Sequence, residues 1–135
     1  MLRITPGQSK LLFFLYFTLI LYVSLSKGVG NLNLSGQRLA GFRLDYLLHL
    51  GAYFSFYAGY LILGWLGNPP FQRHALLKII VLTAALGIGT EFLQRLTPNR
   101  SFNLYDMAFN GLGILLGILL VLLFRKTLLP ARVEN

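Results

Sequence analysis

Seven residues stand out for what they could do chemically. Asp45 and His49 are four residues apart, as are Asp106 and Asn110, and Glu91 and Gln94 are three apart. On a helix each of these pairs shares one face. Arg100 follows Glu91 after a short stretch containing Pro98 and Asn99. Carboxylates accept hydrogen bonds from hydroxyl or ammonium groups and can share a bridging cation. An imidazole can serve as a general base oriented by a carboxylate. An arginine recognises an anionic group with a rigid fork of donors. Each residue also has a plainer reading. Asp45 fits the N-cap of a helix, and Asp106 fits a capping box with Asn103. Asn110 can bond a neighbouring helix, and His49 can be a satisfied buried histidine. Glu91 is the hardest to explain as scaffold. It lies inside an apolar stretch near a helix C-terminus, where the dipole disfavours negative charge, and an acid at membrane depth is costly unless paired or protonated. Arg100 is its natural partner.

The elements that must position these groups are apolar. The chain has 135 residues, 56% hydrophobic and 12% charged, with a mean hydropathy of +0.65. Soluble domains carry about 25% charged residues, and a chain this small leaves much of its surface wet. These numbers exclude a soluble globule, and disorder as well, because disordered chains are rich in charge and poor in aromatics. Cysteine is absent, which excludes a disulfide framework, a thiolate metal site and thiol catalysis. Four apolar stretches read as membrane spans, at residues 11–25, 46–66, 76–93 and 104–124, the first short but flanked by Lys10 and Lys27, which can snorkel. The fold expected is an all-α, up-and-down bundle of four transmembrane helices, forming a single domain over residues 1–135. The first stretch reads as a retained helix rather than a signal peptide, because its apolar run is long and further spans follow.

In such a bundle the start of span two, the end of span three and the start of span four lie at one end. Asp45, His49, Glu91, Gln94, Arg100, Asp106 and Asn110 are therefore expected to converge there. The glycines read as packing, with Gly113 and Gly117 forming a small-xxx-small pair. The aromatics Tyr53, Phe54, Phe56, Tyr57 and Tyr60 read as packing and interfacial anchoring. The net charge of +8 is spread singly and in pairs between the apolar segments, which suits loops against anionic lipid rather than nucleic acid. Arg3, Lys10, Arg73, Lys78, Arg125, Lys126 and Arg132 fall on the side of the termini, and Lys27, Arg38, Arg43, Arg95 and Arg100 on the other. The excess puts both termini in the cytoplasm and the polar cluster at the outer end. No metal-spaced histidine pair and no phosphate-cradling glycine loop are present, so neither a cofactor nor a metal is expected.

The set Asp45-x3-His49-x3-Tyr53, Glu91-x2-Gln94, Pro98-x-Arg100 and Asp106-x3-Asn110-x2-Gly113-x3-Gly117 resembles the VanZ-like family of small bacterial membrane proteins. The resemblance covers about residues 45–123. It implies a four-helix protein of the bacterial cytoplasmic (inner) membrane. The family is named for a member linked to glycopeptide (teicoplanin) resistance, which points to the cell envelope and the outer leaflet. The expected function is binding of a polar or anionic envelope-lipid group, or of a protein partner, at the polar cluster. Two other readings stand beside it. One is a membrane-embedded enzyme with His49 as base and Glu91 or Asp106 orienting it. The other is a structural subunit of a larger envelope complex.

Overall fold

A computed structural model describes residues 4–26, 34, 36–39, 41–96 and 102–129. The elements are α1 (Pro6–Leu25), β1 (Arg38–Leu39), β2 (Phe42–Arg43), α2 (Leu44–Trp65), α3 (Ala75–Gln94) and α4 (Leu104–Leu128). The four helices, of 20, 22, 20 and 25 residues, are each long and apolar enough to cross a membrane. At 1.5 Å per residue the shortest spans about 30 Å, the thickness of a hydrocarbon core.

Local chemistry fixes the helix ends. α1 begins five residues before the apolar stretch that marks it in the sequence. Thr5 and Gln8 form a reciprocal capping box, with Thr5 N donating to Gln8 Oε1 at 2.8 Å and Gln8 N to Thr5 Oγ1 at 3.2 Å. Pro6 follows at the first helical position, where its missing N–H costs nothing. α2 is launched from a small hairpin in which Arg38 pairs with Arg43 and Leu39 with Phe42. Gly41 takes a φ of 85° in its turn, a conformation that favours glycine. Arg43, not Asp45, occupies the N-cap position of α2. Asp45 lies in the first turn, where its negative charge suits the helix dipole. α4 runs one turn past the end expected from hydropathy, with Arg125 and Lys126 in its last turn, where cations suit the dipole and can reach the interface.

α2 and α4 pack most intimately. A Cβ on Gly113 would run into the carbonyl of Leu50 and the amide of Phe54, so the two backbones touch there. One turn on, Gly117 lies against the ring of Tyr57. Tyr53, Phe56, Tyr57, Tyr60, Ile79, Leu86 and Val121 fill the centre of the bundle. α1 is held differently, since only Ser9 and Phe13 of its residues are buried. Polar bonds pin it along its length. Ser9 Oγ donates to the carbonyl of Asn68, and Asn68 Nδ2 donates to Ile4 O at 2.7 Å. The Tyr16 hydroxyl reaches Ala52 O at 3.1 Å, and Gln94 Nε2 reaches Ser24 O at 2.9 Å. Lipid tails are as apolar as leucine, so close packing and such hydrogen bonds, rather than burial of apolar area, hold helices together in a bilayer. The outward faces carry Leu11, Leu15, Leu77, Val81, Leu115 and Leu123, the surface that acyl chains would cover.

Candidate functional site

The cluster lies where α2 and α4 begin and α3 ends. His49 stands one turn into α2, and Asp106 and Asn110 stand one turn apart on α4. Because α2 and α4 approach closely at Gly113, the imidazole meets both residues of α4. His49 Nδ1 lies 2.9 Å from Asn110 Oδ1, and His49 Nε2 lies 3.7 Å from Asp106 Oδ2. An oxygen facing Nδ1 requires a proton on that nitrogen. The other ring nitrogen, Nε2, is directed at the Asp106 carboxylate.

Glu91 enters from α3 and is fully buried, at 0% exposure. Its Oε2 accepts the backbone N–H of Asn103 at 3.3 Å. That N–H is the one a capping box would have given to Asp106. The cap of α4 is thus completed from another helix: Asn103 Oδ1 accepts from Tyr105 N at 3.0 Å, and Glu91 takes the Asn103 N–H. This answers the dipole objection to Glu91. The carboxylate lies at the end of its own helix, but it also faces the positive N-terminus of α4. One ligating atom each from His49, Glu91 and Asp106 lie within 4.8 Å of one another.

Below this layer Tyr53 and Asn110 meet over Gly87, one turn before Glu91 on α3. A Cβ at Gly87 would lie 3.3 Å from the Tyr53 ring and 3.5 Å from Asn110 Cβ. Tyr53 is 1% exposed and Asn110 2%. The Tyr53 hydroxyl, Asn110 Nδ2 and Asp106 Oδ1 are buried without a hydrogen-bond partner among the described residues. The Tyr53 hydroxyl is a member that sequence reasoning took for packing. Its signal was present in the spacing, one turn after His49.

The other expected members fall elsewhere. Asp45 is at the rim, in a two-pronged pair with Arg43 at 2.6 and 3.2 Å. Those bonds push the Arg43 pKa further above its ordinary value, so the guanidinium stays charged and committed. Arg43 also lies over the Tyr46 ring, 4.4 Å from its centre, and Tyr46 stacks on Phe109 at 5.0 Å. The result is an aromatic shoulder over the cluster, at the depth where tyrosine is favoured in membranes. Gln94 is spent on Ser24 of α1 and does not join the cluster. Arg100 lies outside the described residues. As built, the centre brings two carboxylates and an imidazole together, with the nearest described arginine already paired.

Two comparisons place these residues among known proteins. A protein of the fission yeast Schizosaccharomyces pombe, described as uncharacterized protein C11E3.10, is 34% identical over 74 residues, which is 55% of this chain and 46% of that protein. The chain thus matches about half the length of that relative. No solved structure matches the chain. The profile of the VanZ/LLP1 family matches residues 9–125, from the first turn of α1 to the last turn of α4, and the chain belongs to that family.

Proposed function

We propose that the cluster binds the polar head group of a membrane lipid at one end of the helix bundle, and that the protein acts in this way at the bacterial cell envelope. The observation that carries this reading is the set of buried, unsatisfied polar atoms on Asp106, Asn110 and Tyr53, gathered at one depth around His49 and Glu91. Each such atom costs about 1–3 kcal/mol if nothing meets it. Three in one place among the described residues are best explained by a ligand that meets them. The acceptor-rich lining suits a head group that offers hydroxyl or ammonium donors. An anionic head group needs a cation beside it, or Arg100. The link between the family's name and glycopeptide resistance supports an envelope role, and altered teicoplanin tolerance on loss of the protein is part of the proposal.

Gently extracted wild-type protein should carry lipid in native mass spectrometry, and Asp106→Asn should carry at least tenfold less at equal folded yield. Equal lipid retention by both proteins would reject the reading. The outer-leaflet placement has its own check, made simple by the lack of native cysteine. In intact cells an impermeant maleimide should label Gly36→Cys, beside the hairpin, and leave His74→Cys, in the connection between α2 and α3, unlabelled. The opposite pattern would put the cluster at the cytoplasmic end.

A further inference from the structure

We infer that His49, Glu91 and Asp106 form a binding site for one divalent metal cation of the zinc or manganese class, with Asn110 as the positioning residue for the histidine. The sequence offers no metal motif, because its ligands come from three helices and only the fold brings them together. The inference stands on side-chain geometry and does not depend on the head-group reading.

Three observations carry it. The first is the set of atoms that converge. One ring nitrogen of His49 and one carboxylate oxygen each from Asp106 and Glu91, all atoms that ligate metals, lie within 4.8 Å of one another. The His49–Asp106 separation of 3.7 Å is too long for a hydrogen bond. It is close to what a shared cation requires, since metal–ligand bonds of about 2.0–2.2 Å place neighbouring ligand atoms roughly 3.0–3.6 Å apart. Glu91 needs to close by about an ångström to reach the same geometry.

The second observation is the support behind the histidine. A metal-bound imidazole gives its other N–H to an oxygen, which fixes the tautomer and aims the ring. Asn110 Oδ1 at 2.9 Å from Nδ1 does this for His49. The third is Asn110 Nδ2 itself. It is buried, belongs to a side chain only 2% exposed, and has no hydrogen-bond partner, while the other atom of the same amide touches the ligand histidine. The similarly unsatisfied Tyr53 hydroxyl lies beside it across Gly87. Two donors beneath three metal ligands suit an oxygen on the ion's remaining position, such as water. The mixture of one imidazole and two carboxylates fits Zn²⁺ or Mn²⁺ better than the all-oxygen sets of Mg²⁺ and Ca²⁺.

The test is metal binding by purified, tag-free protein stripped with a chelator and exposed to Zn²⁺ or Mn²⁺ alone. One ion per chain should remain after gel filtration. Co²⁺ should give visible absorption bands that report its coordination geometry. His49→Ala and Asp106→Asn should each weaken Zn²⁺ affinity at least 100-fold, and Asn110→Ala should weaken it about 10- to 100-fold, as loss of an outer-shell partner does. His74→Asn, which removes the chain's other histidine at the far end of the bundle, should bind as wild type does. Asparagine is chosen there because it tolerates the left-handed backbone that His74 adopts at φ 49°. Less than one ion per chain in wild type would overturn the inference, as would unchanged affinity in Asp106→Asn. If His49→Ala fails to fold, the nearly isosteric Asp106→Asn decides. Stripped protein that holds lipid but no metal would overturn the metal site and leave the head-group reading standing. Protein that holds metal but no lipid would do the reverse.

Discussion

Gly113→Leu should abolish the folded protein. The Cβ alone would strike the carbonyl of Leu50 and the amide of Phe54, which are backbone atoms of α2 and cannot rotate away. The helices would have to separate along their closest contact, at a cost of several kcal/mol, which exceeds typical single-substitution effects and approaches total stability. Folded yield in membranes, read by fluorescence-detected gel filtration, should fall to background. Gly111 gives the matched control. It lies on the same helix, and nothing would meet a Cβ there. Gly111→Ala should hold yield and raise stability by about 0.5–1 kcal/mol, the ordinary gain from removing a helical glycine. Equal yields from Gly113→Leu and Gly111→Ala would disprove the close α2–α4 contact.

Glu91→Gln should separate stability from binding. The amide oxygen of glutamine can still accept the Asn103 N–H, so the start of α4 stays capped. Glutamine also keeps the size and shape of the side chain, so the folded yield should hold. Retained lipid should fall at least tenfold at equal abundance. Glu91→Ala gives the contrast, because it strands the Asn103 N–H and should cost about 1–3 kcal/mol. If Glu91→Gln retains full lipid load, the carboxylate serves the scaffold alone.

Much of this architecture is legible in the chain. The four helices follow from apolar runs. The meeting of His49 with Asp106 and Asn110 follows from two four-residue spacings and alternating helix direction. The misses have physical causes. Hydropathy does not register a polar first turn, so the apolar run starts only at residue 11, although Thr5, Pro6 and Gln8 spell out the cap of α1. Two-residue strands are too short to show alternation, so the hairpin before α2 leaves no pattern in the sequence. Its presence shifts the N-cap to Arg43 and turns Asp45 toward that arginine. Gln94 is three residues from Glu91, but that spacing leaves the two side chains about 60° apart around the helix. That is enough to aim one into the cluster and the other at Ser24. The joining of α4's cap to Glu91 has no local signature, because it links residues twelve apart through a turn.

That last bond makes one carboxylate serve two helices at once. The Glu91 carboxylate both lines the cluster and accepts the N–H of Asn103, the N-cap of α4. Any group that draws the Glu91 oxygens into the cluster therefore competes with the N-terminal cap of α4.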